Sequence, residues 1–230
     1  MLKQWKDREP RFYVNITYSG SIWLNEGKYN EEMRTDFTNG ANGTCGKSKA
    51  SGDCPDSGYL IRRGAKASNN NGSKHFSPVL RLADMYLGYA EALCMCSDLD
   101  NALTYLNKIR VRAGIPEYTL TCPKTQTDLL NRIRRERLVE LVFEWNRYFD
   151  VRRWKVAEGQ NDPEHWIYPA YHTGGEGGKV YGMNMDKDYP AFFERTSFET
   201  RVAFTKKQYF MPIPYDDLRR IPSLVQNLGW

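Results

Sequence analysis

The stretch from Thr127 to Trp154 constrains this chain more than any other, because it contains neither Pro nor Gly and is dominated by Leu, Arg, Glu and Val. Leu130, Ile133, Leu138, Leu141, Trp145 and Phe149 recur mostly at three- and four-residue steps. That spacing predicts one amphipathic helix of about seven turns. On its polar side Glu136, Glu140 and Glu144 lie four apart, with Arg132, Arg137 and Arg147 at helical spacing from one or another of them. Pairs of this kind are worth only about 0.2–0.5 kcal/mol when exposed. A ladder of them beside large aromatics predicts a helix packed on more than one side.

The 230 residues are enough to bury a real core, as one large domain or two small ones. No run approaches the roughly 18 apolar residues of a membrane-spanning helix. The first residues, Met1-Leu-Lys-Gln-Trp-Lys-Asp-Arg8, are charged and lack the apolar region of a signal peptide. The reading is either a cytoplasmic protein or a chain lacking its true beginning. With 33 basic and 28 acidic residues the net charge is +5, and the two signs interleave in the long helix. A nucleic-acid surface shows a one-signed stripe instead, so no nucleic-acid partner is expected. Five cysteines are too few and too scattered for a disulfide scaffold. Cys94 and Cys96 point to different helix faces, whereas Cys45 and Cys54 flank a Gly/Ser/Lys-rich loop, bridged or free. Three histidines at no finger spacing make a zinc site improbable.

In chain order, Arg11–Tyr18 alternates aromatic and β-branched residues before a Ser19-Gly20 turn, and predicts a strand; minor β structure is expected within residues 11–24. Residues 36–78 form a polar, Gly/Asn-rich surface insertion, and such long segments are functional or flexible. From Val79 to Cys96, Leu80, Ala83, Leu87, Ala90, Leu93 and Cys94 follow helical spacing. Ser97 and Asp100 resemble a capping box. Leu99, Ala102, Leu103, Leu106, Ile109 and Ala113 then form a second stripe, stopped by Gly114. The two helices make a hairpin. Beyond Lys155 regularity fades until Tyr209-Phe-Met-Pro-Ile-Pro214, whose prolines impose extended backbone and then favour a helix start.

Four pieces in order resemble the carboxy-terminal half of the SusD/RagB family of surface glycan-binding lipoproteins. They are Arg8-Glu-Pro-Arg-Phe12; Arg81–Ala92 continuing through Ala102–Pro116; Arg135–Trp154; and Met211-Pro-Ile-Pro-Tyr-Asp-Asp-Leu218 with Leu224–Trp230. Departures are Trp145, where the family often has Gly, Ile221 before Pro222, and Leu228 before the final Gly-Trp. The resemblance implies an all-α fold of tetratricopeptide-like helix pairs with long irregular loops, the 230 residues forming one partial region. It implies a lipoprotein capping a TonB-dependent transporter at the outer membrane, its signal peptide and lipidated cysteine lying in a missing amino-terminal half. Physics adds one expectation. Stacked helix pairs bury their faces only against neighbours, and about three repeats are normally needed. A single pair plus one long helix therefore leaves apolar surface exposed.

Candidate chemistry is sparse. The ladder Glu136, Glu140, Glu144 lacks the Glu-x-x-His partners of a di-iron helix and reads as ion pairs that hold the helix against loops and tail. Glu91, alone on an apolar helix, needs an arginine such as Arg81 or one from the long helix. No nucleophile elbow, phosphate loop or dinucleotide fingerprint occurs, and no Asp pair has glycosidase spacing. Neither enzyme activity nor a cofactor or metal is expected. Aromatics are the better clue, because a sugar's C–H face stacks on Trp or Tyr while its hydroxyls seek amides. Trp23 and Tyr18, then Tyr29 with Asn25, are the first candidates for glycan binding; Trp166, Tyr168 and Tyr171 are the second. Core or transporter packing would place the same aromatics equally well. Two rival readings remain, a tetratricopeptide-type peptide binder and a surface glycan-processing enzyme.

Overall fold

The computed structural model describes residues 5–25, 29–33, 35, 55–64, 78–119, 125–157, 178–187, 189–201 and 204–230. Helices α1 (Pro10–Asn15), α2 (Leu82–Met95), α3 (Leu99–Arg112), α4 (Gln126–Glu140), α5 (Asn146–Arg153) and α6 (Tyr215–Arg220) carry the architecture. Strands β1 (Ile16–Tyr18), β2 (Ser21–Asn25), β3 (Tyr29–Met33), β4 (Tyr59–Ile61), β5 (Gly178–Gly182) and β6 (Thr196–Arg201) pair two by two, all antiparallel: β1 with β4, β2 with β3, β5 with β6. The helical fold with minor β structure is as the sequence implies. The predicted strand at 11–18 is corrected, because residues 10–15 are helical and only 16–18 are extended. Pro10 sits at the first helical position, where its fixed φ favours a helix and its missing N–H costs nothing.

Two cores hold the molecule. The helical one joins Ala83, Leu87, Ala90 and Cys94 of α2 to Ala102, Leu103, Leu106 and Ile109 of α3 and to Leu129, Ile133 and Leu141 around α4. Ala83 and Ala90 are buried, as close helix approach requires. The second core is aromatic and sulfur-rich: Trp5, Tyr18, Met183, Met185 and Phe192, with Phe12, Tyr13, Tyr59, Tyr189 and Phe193 against it. It ties the amino-terminal segment to the β5 region. Gly182 lets β5 approach the turn before β4 as well, since a Cβ there would lie 2.6 Å from the Ser57 Cα.

Helices α2, α3 and α5 end alike. The residue after each C-cap (Ser97, Gly114, Lys155) has positive φ (66°, 73° and 54°). Asp98, Ile115 and Val156 N–H then donate back to Leu93, Arg110 and Val151 O at 2.9–3.0 Å, which is the Schellman arrangement. The capping box expected at Ser97 is not formed; Asp98 caps α3 instead, accepting from Asn101 N at 3.3 Å.

The predicted single helix at 127–154 is two helices. The ladder stops at Leu141, and Phe143 and Trp145 adopt left-handed φ of 65° and 66° before α5 begins. The carbonyls released by the break are satisfied by side chains. Arg81 Nη2 donates to Glu140 O at 2.7 Å, and Arg63 Nη1 donates to Glu140 O and Val142 O at 3.3 and 3.2 Å. Guanidinium groups thus replace the N–H donors that a continuing helix would supply.

Leu82, Met85 and Tyr89, on one side of α2, are exposed. This matches the expectation that a single helix pair leaves apolar surface uncovered. No helix among the described residues is long and apolar enough to cross a membrane.

Candidate functional site

The carboxylate ladder is buried and its partners come from elsewhere in the chain. Glu136 and Glu140 are 4% and 3% exposed. Arg11 Nη1 bridges them at 2.6 and 3.0 Å, Arg110 adds a contact to Glu136 at 3.2 Å, and Arg112 meets Glu140. Arg81 reaches Glu140 at 2.6 Å and Glu144 at 2.7 Å, and Arg63 also meets Glu144. Across the helix break, Arg137 of α4 grips Asp150 of α5 through Nε and Nη2 at 3.0 and 3.2 Å, and Asp84 of α2 at 2.9 Å.

The pairs expected within the helix therefore give way to tertiary ones, since buried carboxylates need donors from every packed neighbour. Arg132 is the exception, pairing within α4 with Asp128 four residues earlier. Burial pushes the Glu140 carboxyl up, but hydrogen bonds from Arg81 and Arg11 outweigh it and hold the group below its ordinary value. Burial lowers Arg11 and Arg81, but Glu136 and Glu9 outweigh it at Arg11, and Glu144 and Glu140 outweigh it at Arg81, so both are raised. Glu91 finds its expected arginine in Arg153, with contacts of 2.9 and 2.5 Å, and also accepts from Trp154 Nε1 at 2.6 Å. Every one of these acids is engaged by a cation, so the ladder is a clasp for the helices and offers no open carboxylate for acid–base work.

The candidate binding residues separate. Tyr18 is 5% exposed, and its ring is covered by Phe12, Trp5 and Tyr13 at centroid distances of 5.3, 5.1 and 6.2 Å. That burial within the aromatic cluster makes Tyr18 a core residue with no room for a sugar. Its hydroxyl is raised mainly by burial. Trp23, Asn25 and Tyr29 fall on the β2–β3 ribbon, where Trp23 is opposite Glu31 and Asn25 opposite Tyr29. One short hairpin therefore brings three of the candidates together in register. Trp166, Tyr168 and Tyr171 lie outside the described residues, as do Cys45 and Cys54. Cys94 is a buried free thiol and Cys96 an exposed one. Among the described residues no His, Cys, Asp and Glu cluster could hold a metal ion.

A concave site that the sequence did not single out lies at the far end of α5. Arg152, Arg153, Lys155, Lys206, Tyr209 and Phe210 line a cleft of about 690 Å³. Its second wall, the 3-10 turn Lys206–Tyr209, is fixed from both sides. Gln208 Oε1 accepts from Thr205 N at 2.5 Å, and Trp230 Nε1 donates to Lys207 O and Phe210 O at 3.0 Å each. Farther along the tail, Gln226 bonds both main-chain groups of Ile213, and Asn227 Nδ2 donates to Met211 O. Pro214 caps α6 as expected. The visible signal was Lys206-Lys207 followed by Tyr209-Phe210, a basic pair beside aromatics in a segment read only for its prolines.

The model of the SusD family matches residues 1–230, and the chain belongs to that family. A SusD-like protein of Bacteroides ovatus is 30% identical over 164 residues, 64% of this chain and 28% of that protein. SusD-like protein P2 of Formosa agariphila is 28% identical over 174 residues, 72% of this chain and again 28% of its own length. Among solved structures, a SusD-like protein from Bacteroides fragilis superposes with a TM-score of 0.73 at 28% identity, covering 98% of this chain and 40% of that one. The chain thus spans well under half the length of these relatives.

Proposed function

We propose that this chain is part of a non-catalytic protein that binds oligo- or polysaccharide at the cell surface and delivers it to a TonB-dependent outer-membrane transporter. The observation that carries this reading is the family match across residues 1–230. The β2–β3 hairpin supports it, since it groups Trp23, Tyr29 and Asn25 on one ribbon. Indole and phenol rings supply stacking faces for sugar C–H groups, and an amide supplies both a donor and an acceptor for hydroxyls. Trp23 leads this site, followed by Tyr29 and Asn25, with Trp166 and Tyr168 as a second group. Tyr18 belongs instead to the aromatic core with Trp5 and Phe12.

Surface location through a lipid anchor outside these residues, and the transporter partner, belong to the same proposal. Its test is affinity electrophoresis of the full-length protein through a panel of neutral and acidic polysaccharides, with Trp23→Ala and Tyr29→Ala beside the parent. At least one polysaccharide should retard the parent, and Trp23→Ala should lose most of that retardation. Unchanged mobility of Trp23→Ala on every retarding glycan removes Trp23. Release of reducing ends during incubation overturns the non-catalytic reading.

A further inference from the structure

Arg153 apart, the residues that line the cleft at the end of α5 take no part in the helical clasp. The cleft's described lining carries four cations and two aromatic rings, with no carboxylate. Among the described residues, Arg153 alone of the four has its charge matched, by Glu91 and Asp150. Among the described residues no carboxylate pairs with Arg152, Lys155 or Lys206. The Arg152 guanidinium lies 3.5 Å from the Tyr148 ring centroid and donates to Tyr148 O at 2.8 Å, and its buried Nε–H has no acceptor. Lys155 sits at φ 54°, where Gly would be unstrained. Phe210 is 66% exposed beside them.

Uncompensated charges of one sign around a concavity focus the local potential and draw counter-charges into it. The volume falls in the range of small-ligand sites, roughly 300–1,000 Å³. A bare anion would need the cations and not the rings, and a neutral sugar would need the rings and not the cations. A sugar that carries its own negative group uses both.

We propose that this cleft is a saccharide subsite selective for acidic sugars, with Phe210 and Tyr209 stacking on the ring and Lys155, Lys206 and Arg152 holding its carboxylate or sulfate. The inference rests on the glycan-binding reading above and goes beyond it by fixing the charge class of the ligand and a second place of contact.

The experiment compares retention of the full-length protein by polygalacturonate, by the same polymer after carboxyl reduction, and by a sulfated galactan. The parent, Lys155→Gly, Lys206→Gln and Phe210→Ala are run side by side at low and at physiological salt. Lys155→Gly removes a charge while relieving the left-handed backbone, so loss of binding in that variant is not loss of fold.

The proposal requires the parent to prefer at least one acidic polymer over the reduced one by about tenfold, the worth of one charge-assisted hydrogen bond. Salt should erode that preference, and each variant should weaken it. The two acidic arms tell carboxylate from sulfate. Equal retention by charged and reduced polymers, or variants that bind as the parent does, overturns the subsite and leaves the glycan-binding reading intact. Displacement by polyglutamate as effective as by acidic oligosaccharide overturns it in favour of an acidic peptide partner. No retention by any polysaccharide removes both readings.

Discussion

Arg81 meets Glu140 twice, once at the carboxylate and once at the main chain: Nη1 lies 2.6 Å from the side-chain oxygen and Nη2 2.7 Å from the carbonyl that α4 leaves without a helical donor. Its Nε also bonds Glu144. Arg81→Ala therefore takes one donor from a buried carboxylate and the shorter of two donors from its main-chain carbonyl together. Removing one partner of a buried pair typically costs 3–5 kcal/mol. Arg11 and Arg112 remain on Glu140, so a loss of about 3 kcal/mol is expected from urea denaturation. Arg81→Lys restores the charge without the planar fork and should recover only part of that loss. A loss below about 0.5 kcal/mol for Arg81→Ala, as for exposed ion pairs, would refute the clasp.

The depressed Glu140 carboxyl fixes the sign of the pH response. Its ordinary value is 4.5, and the folded value lies lower because Arg81 and Arg11 outweigh burial. A group depressed in the folded state contributes stability that is fully present above its unfolded value and is lost as pH falls through the folded one. The urea midpoint should be insensitive to this group above about pH 5 and fall as the solution becomes more acidic. Glu140→Gln should be less stable near neutrality and show a shallower acid decline. An acid limb as steep as the parent's would count against this assignment.

Left-handed residues other than glycine give a prediction of opposite sign. Trp145 has φ 66° and a side chain 85% exposed, so its ring contributes little packing to offset the backbone strain. Trp145→Gly should raise stability by about 1 kcal/mol, as should Ser97→Gly at the end of α2. Thermal melting checks both. A fall in midpoint for either variant would mean that the side chain makes contacts worth more than the strain.

Gly182 offers the converse. A Cβ there would fall 2.6 and 2.7 Å from the Ser57 Cα and O, and main-chain atoms cannot swing aside as a side chain can. Gly182→Ala should cost at least about 2 kcal/mol by forcing β5 off the 57–58 turn. It should also raise the fluorescence response of buried Trp5, whose aromatic core rests on that junction. An unchanged denaturation curve would contradict the close approach.

Periodicity made α2, α3 and α4 legible, because Leu, Ile and Ala at helical steps have one economical burial. The break after Glu140 was not legible. Leu141, Trp145 and Phe149 keep the apolar rhythm while the backbone at Phe143 and Trp145 leaves the helix, and what stabilises the break comes from Arg81 and Arg63, far away in sequence. Local spacing assigned the wrong arginines to the carboxylates for the same reason: tertiary donors outcompete neighbours once the acids are buried. Among binding candidates, Tyr18 and Trp23 read alike as aromatics near a turn. That Tyr18 packs against Trp5 goes with the pairing of β1 with β4, and no pattern within residues 11–24 encodes that. The basic cleft went unnoticed since its two walls, at 152–155 and 206–210, are joined only by the fold.

The clasp also sets an order of events. Residues 82–141 contain nearly all of the helical core, so that layer can assemble from contacts of modest sequence separation. Arg11 meets Glu140 across 129 positions, and closing so long a loop carries an entropic cost before any contact compensates it. The amino-terminal arm is thus the late arrival. The helices first gather the acids with Arg81, Arg110 and Arg112, and the docking of Arg11, which bridges Glu136 and Glu140, turns a provisional assembly into a committed one. Pulsed hydrogen exchange should find α2 and α3 protected before the 10–18 segment, and Arg11→Ala should slow or abolish only the second phase.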